Sequence, residues 1–262
     1  MPVRQLFSPA NIPAMAHDHW YQAETMEEDF LRKYRVSEIT EQERVQIEEQ
    51  TRRQSTSRRW FEERTKRLTS SHFGEICKAT ERRDKTKLAE SYTVVRDLRC
   101  PAIQHGRKYE AVAVEEYQLE TQRKTSACGM FVSPNYPFIA ASPDRVVDDS
   151  TLLEVKCPFT AREQLISHAS VPYLKLNEDG DLELDRNHQY YYQVQGQMFC
   201  TGKQHCDFVV YTFKDMKVLN INFDQCFVDK MVEQLKSFYV DYFRDVVVKV
   251  HFYKDYYKYQ AM

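Results

Sequence analysis

The 262-residue sequence contains no CxxC pair, no HxH or HExxH motif, no long apolar run and no internal repeat. Each absence removes a class of protein. Seven cysteines, at 77, 100, 128, 157, 200, 206 and 226, are an odd number at scattered spacing. That speaks against a disulfide framework and fits free thiols in a reducing compartment. Eight histidines without paired spacing leave no basis for a histidine-held zinc. No apolar run approaches the roughly 18 residues of a membrane span and no signal peptide is visible, so an intracellular protein with no membrane partner is expected. Cytoplasm and nucleus are not distinguishable. A formal net charge of −2 excludes a polycation, so any nucleic-acid site must be a local basic patch set against an acidic remainder.

What is present suits a globular chain: hydrophobic residues make up 42% and aromatics 13%. Residues 1–19 carry three prolines and little pattern, which predicts a loose arm. From about 23 to 67 the sequence is charged and helical. "TEQE" at 40–43 is a capping box, and the helix it opens is expected to run on through 52–67. "LTSSHFGEICK" (68–78) predicts a cap and a short helix. "ERRDKTK" (81–87) predicts a charged loop, and "SYTVVRDLRC" (91–100) a helix stopped by Pro101. "HGRKYEAVAVEEYQLE" (105–120) has helical periodicity.

The period then changes. "ACGMFVS", "FIAASPDRVV" and "TLLEVKC" predict three strands of a meander. "TARE" at 160–163 predicts another capped helix, and 176–185 an acidic loop. Residues 187–202 predict a helix stopped by Gly202. "CDFVVYTF" and "KVLNINF" predict a hairpin, followed by a long helix over roughly 225–245 and a tyrosine-rich tail. The expected organisation is an arm and helical extension at 1–55, one α/β domain at 56–245 and a tail at 246–262.

Three charges interrupt the meander: Asp144, Glu154 and Lys156. Residues two apart in a strand share a face, so Glu154 and Lys156 point together and Val155 points into the core. A hairpin across "DDS" brings Asp144 level with Glu154. Two carboxylates then converge with one ammonium. Hard divalent cations take such oxygen ligands. A lysine beside them suits an attacking water or a phosphate oxygen, the equipment of metal-assisted phosphodiester hydrolysis. The plain alternative is an exposed salt-bridge cluster, but that needs neither Pro143 nor the Cys157-Pro158 stop.

"SPD…LLEVKCPFTAR" resembles the core of the PD-(D/E)xK nucleases, in their lambda-exonuclease-like (YqaJ-type viral recombinase) branch. "WFEERTKRLTSSHFG", "GRKYE" at 106–110 and "YYYQVQGQM" at 190–198 resemble further blocks of that family, in family order. The resemblance spans about 60 to 200. It implies a restriction-endonuclease-like fold, a central mixed β-sheet flanked by helices, with a helical N-terminal extension. It implies that Asp144, Glu154 and the Val155 carbonyl hold Mg²⁺, with Mn²⁺ as substitute. Lys156 would act on the water or the developing charge, Glu110 would help hold metal or order water, and Gln193 would orient Lys156. An amide can accept from an ammonium without neutralising it. Gln197 shares a helical face with Gln193, and Gln195 does not. Iron–sulfur clusters of some superfamily members need four cysteines, and here only Cys200 and Cys206 are close.

Arg64, Ser71, Ser142 and Arg162 match family positions that grip a terminal 5′-phosphate. Helix N–H groups near Ser71 and bidentate arginine donors suit that anion. Arg162 is expected in the first turn of the "TARE" helix, where a cation opposes the helix dipole. Trp60 is expected either to stack on a base or to sit in the core. "RRQSTSRR" and "ERRDKTK" are candidates to track a phosphate backbone, or are simply solvated faces. The expected activity is a Mg²⁺-dependent DNA exonuclease at double-stranded ends. The alternatives are a structure- or site-specific endonuclease and a non-catalytic nucleic-acid-binding module. A single-strand annealing partner and a ring-shaped trimer are implied by the resemblance alone.

Overall fold

Thr40 closes the predicted capping box: its Oγ1 accepts from the Glu43 amide at 3.2 Å, and the Glu43 carboxylate accepts from the Thr40 amide at 2.8 Å. Helix α1 follows over Glu41–Gln50. The computed structural model describes residues 38–95 and 100–252; the predicted N-terminal arm and the end of the tail lie outside the described residues. α1 does not run on to residue 67. Thr51 turns its hydroxyl back onto the Ile47 carbonyl at 2.6 Å, and Gln54 adopts a φ of 40°. That left-handed value is uncommon for a residue with a Cβ. The Gln54 amide anchors it by donating to the Cys128 and Pro143 carbonyls at 3.1 and 2.7 Å. A separate helix, α2, starts at Arg58 and ends at Arg64, with Ser57 as its N-cap.

A short strand β1 (Leu68–Thr69) leads into α3 (Ser70–Cys77). The next helix, α4, spans Lys85–Tyr92, several residues earlier than expected. Asp84 accepts from the Lys87 amide at 3.0 Å, so part of the predicted charged loop is a cap and first turn. Val94 and Val95 are exposed, and residues 96–99 lie outside the description. α5 (Pro101–Thr121) has proline at its first position, where a missing N–H costs nothing.

The predicted meander is divided between two sheets. β3 (Phe131–Val132) and β4 (Ile139–Ala141) pair antiparallel, and β4 pairs parallel with β1. The larger mixed sheet uses β2 (Ser126–Ala127), β5 (Arg145–Val146), β6 (Thr151–Lys156), β9 (His205–Tyr211) and β10 (Met216–Asn222), in the order β10-β9-β6-β5-β2. β6 and β9 are parallel; the other pairs are antiparallel. The break falls at Ser142-Pro143. Proline has no amide hydrogen for a ladder, and its carbonyl accepts from the Gln54 amide and the Cys128 thiol instead.

Two predicted segments take other forms. "TARE" opens no helix: Ala161 and Gln164 close tight turns. The segment's backbone is engaged by the β9–β10 connection. The Phe213 amide donates to the Arg162 carbonyl at 2.8 Å, the Thr212 hydroxyl to the Gln164 carbonyl at 2.9 Å, and the Ile166 amide to Asp215 at 3.2 Å. The acidic loop is the tip of a small hairpin between β7 (Leu174–Leu176) and β8 (Leu182–Leu184).

β6 is central, and its alternation fixes the site. Leu153 and Val155 pack with Ala113, Val114 and Tyr117 of α5. Leu152 packs with Val194 and Met198 of α6 (Gln189–Thr201), so Glu154 and Lys156 also face α6. α6 is pressed against α3 at two glycines. A Cβ on Gly74 would lie 2.6 Å from the Gln189 Cα, and one on Gly196 2.4 Å from the Phe73 ring. α7 (Gln225–Phe238) closes the second core with Val228, Met231 and Leu235, then continues through wider π-type turns around α8 (Arg244–Val247). Among the described residues, no helix is long and apolar enough to cross a membrane.

Candidate active site

The β5–β6 register pairs Arg145 with Leu153, which sets Asp144 level with Glu154. Asp144 Oδ2 accepts from the Val155 amide at 2.7 Å, so the carboxylate is tied to the strand that carries the other two charges. Glu154 is only 2% exposed. Lys156 Nζ lies 2.5 Å from Glu154 Oε1, 3.3 Å from Gln193 Oε1 and 4.5 Å from the centre of the Tyr190 ring. Gln193 Nε2 donates to Glu154 Oε1 at 2.7 Å. Gln193 therefore accepts from Lys156 and donates to Glu154, bridging the pair. Glu110, near the middle of α5, sits 3.8 Å from Arg145.

The charges do not balance. Burial, then Glu154 and Glu110, push the Asp144 carboxyl well above its ordinary range. Burial also raises Glu110; Arg145 pulls it back and Glu154 adds to the rise. Burial works against the Lys156 ammonium, but Glu154 and Asp144 outweigh it and lift the group above the usual lysine range. Three carboxylates thus crowd a space where cations are few. Asp144, Glu154, Glu110 and the Val155 carbonyl are oxygen donors of the kind a hard divalent cation accepts. Among the described residues, no group of three His, Cys, Asp or Glu side chains is spaced to hold a metal together. Both Glu154 oxygens face ammonium or amide donors.

A second group of candidates comes together beside the first. The Arg64 guanidinium donates to Ser71 Oγ at 3.2 Å and lies 4.4 Å from the centre of the Trp60 ring. Trp60 Nε1 donates to Ser142 Oγ at 2.9 Å, two residues before Asp144. Burial lowers the Arg64 pKa to about 10, and among the described residues no carboxylate lies within ion-pair distance of it. His72, half-buried, is pushed down to about 4 by burial and by Arg64. Thr69, the residue before α3, makes no side-chain cap hydrogen bond. Arg64 also lines an open cleft of about 740 Å³ with Arg82 and Arg107, and with Arg83 and Lys87, which pair with Glu75 and Asp84 of the same lining.

Arg162 is placed differently. It lies in the turn after β6, not in a helix, so the expected dipole conflict does not arise. Its guanidinium donates to the Phe159 carbonyl at 2.6 Å and covers the Phe159 ring at 4.2 Å. Of the two basic runs, "RRQSTSRR" is largely tied down: Arg52 pairs with Glu48, Arg58 with Glu62 and Arg59 with Glu63. Two contacts had no role assigned from the sequence. Tyr190 lies under Lys156, and Gln197 Nε2 donates to Glu154 Oε2 at 2.7 Å. The i, i+4 spacing of Gln193 and Gln197 was the available signal for the second.

The sequence pattern of the YqaJ-like viral recombinase domain matches residues 59–204, a span that includes every candidate named above except the earliest arginines. An uncharacterized protein of Acanthamoeba polyphaga mimivirus is 25% identical over 173 residues, 58% of this chain; the chain spans only 28% of that relative. Among solved structures, an alkaline exonuclease (LHK-Exo) from Laribacter hongkongensis aligns with a TM-score of 0.58 at 24% identity, over 76% of this chain and 97% of the other. The Shutoff and Exonuclease Protein of Kaposi's sarcoma-associated herpesvirus aligns with a TM-score of 0.50 at 12% identity, over 78% and 71%. At these identities the two structures speak for a shared fold.

Proposed function

Because the chain belongs to the YqaJ-like viral recombinase family, we propose that it is a metal-dependent DNA exonuclease that hydrolyses phosphodiester bonds at duplex ends, running 5′ to 3′ from a 5′-phosphate. The observation that carries this reading is the buried Asp144–Glu154–Lys156 cluster, with Gln193 accepting from the lysine and donating to the glutamate. Asp144, Glu154 and the Val155 carbonyl would hold Mg²⁺, or Mn²⁺ in its place. When bound, the ion supplies Lewis acidity and a more acidic water.

The chain's own groups do the rest. Lys156, kept protonated by its carboxylate neighbours, offers a donor to the nucleophilic water or to the charge that develops on the phosphate. Gln193 holds that ammonium in place without taking its charge. Glu110, itself raised, can order water at the edge of the site. Arg64, with Ser71 beside it and Ser142 held by Trp60, receives the terminal phosphate, and Trp60 offers the first base a ring to stack on.

The test is a time course on linear duplex and on covalently closed circular DNA, in Mg²⁺ and in excess chelator. Mononucleotides should appear from linear DNA only, and only with metal. Cutting of closed circles would favour an endonuclease instead, and full activity in chelator would sink the metal reading.

A further inference from the structure

Gln197 is fully buried on α6, and its amide has one partner in this environment. Nε2 donates to Glu154 Oε2 at 2.7 Å, while Oε1 has no hydrogen-bond partner. The neighbouring glutamines behave otherwise. Both ends of Gln195 are engaged, Nε2 by the Asn222 carbonyl and Oε1 by the Asp224 amide. Both ends of Gln193 are engaged too, by Glu154 and Lys156. A buried carbonyl without a donor is costly. An apolar side chain of similar volume would fill the same space at no such cost. A glutamine here is therefore explained by what its amide hydrogen does to Glu154.

The geometry points to Gln197 as a positioning residue for Glu154, acting with Gln193 as a two-pronged clamp. Residues i and i+4 lie one above the other on a helix face. Here they deliver one N–H to each oxygen of a single carboxylate, Gln193 to Oε1 and Gln197 to Oε2. The clamp fixes the plane of a carboxylate that would otherwise be turned by Lys156 alone. The inference rests on the reading of Glu154 as a working carboxylate, but part of its test does not.

That part is a double-mutant cycle on unfolding, in metal-free protein, with Gln197→Met and Glu154→Met. With Glu154 present, Gln197→Met strips a buried carboxylate oxygen of its donor, so the denaturant midpoint should fall. With Glu154→Met, Gln197 has two unpaired buried groups, and replacing it should raise the midpoint. The sign of the change should invert between the two backgrounds. The second part is kinetic. Gln197→Met should lower kcat on linear duplex at least tenfold with KM for DNA unchanged. Gln197→Met keeps the volume and loses the donor, so it separates donation from packing. Additive effects in the cycle, or a normal kcat in Gln197→Met, would overturn the assignment. Inversion of sign in a protein that shows no metal-dependent hydrolysis would uphold the clamp and overturn the proposed function.

Discussion

Two regions far apart in sequence but neighbours in the fold carry opposite electrostatic problems. Around Asp144, the buried Glu154 and the partly exposed Glu110 repel its carboxyl, and burial together with that repulsion drives it far up. Around Arg64, a half-buried guanidinium packs against a tryptophan ring and a serine hydroxyl at the wall of a cleft, and burial drives it down to about 10. The first place favours an added cation, the second an added anion. Trp60 joins them, lying under Arg64 and donating to Ser142 two residues before Asp144. A desolvated charge without a full counter-charge costs stability, so folding alone explains neither arrangement. What the pair together suits is a metal ion and a phosphate held at a fixed separation.

The largest effect should come from emptying the cation side. Asp144→Ala and Glu154→Ala should each lower the hydrolysis rate more than about a hundredfold while DNA binding, read by anisotropy, survives. Either variant working at a tenth of the wild-type rate would break the assignment. Lys156→Ala should be nearly as slow, yet still take up divalent metal in calorimetry.

On the anion side, the effects should rank by contact. Arg162 has its own partners in Phe159, so Arg162→Ala should slow digestion of 5′-phosphorylated duplex less than Arg64→Ala does. Equal losses would place both arginines on one phosphate.

Stability offers a smaller contrast of sign. Asp144 in the folded protein has a raised carboxyl pKa, so its ionised form costs stability at neutral pH, increasingly as pH rises above the ordinary carboxylate value. Asp144→Asn should therefore melt higher than metal-free wild type, by about 2–4 °C for each kcal/mol relieved. Ca²⁺ should close the gap by stabilising wild type alone.

The smallest effect concerns His72. Its folded value, about 4, lies below the ordinary 6.5, so the neutral form is favoured. Protonation of the unfolded chain then draws stability away as pH falls from about 6.5 towards 4. His72→Asn should flatten acid unfolding over that window. An unchanged profile would mean His72 is solvated.

How much of this could be read from the chain follows from whether the signal is local. The β9–β10 hairpin and the α6 helix announce themselves through alternation, periodicity and Gly202, and both stand close to where they were expected. The level placement of Asp144 and Glu154 follows from a short turn and the two-residue period of strands. The "TARE" segment misled because its capping chemistry is local, while its fate is decided by Thr212, Phe213 and Asp215 from a distant connection. The break at Ser142-Pro143 had the same origin: the proline was visible, but Gln54, which takes its carbonyl, lies 89 positions away. Gln197 lay between these cases. Its helical face could be read from its spacing to Gln193, but its single contact to Glu154 could not.

The account turns on Arg64 receiving a 5′-phosphate next to a cation site, and one ratio tests it. Single-turnover digestion of a linear duplex in Mg²⁺ should be measured with a 5′-phosphate and with a 5′-hydroxyl end, for wild type and for Arg64→Ala. A charge-assisted hydrogen bond contributes about 1.5–3 kcal/mol, so wild type should prefer the phosphorylated end by about ten- to a hundredfold. In Arg64→Ala that preference should fall to near one through loss on the phosphorylated end alone. A preference that survives the substitution, or equal slowing on both ends, would contradict the account.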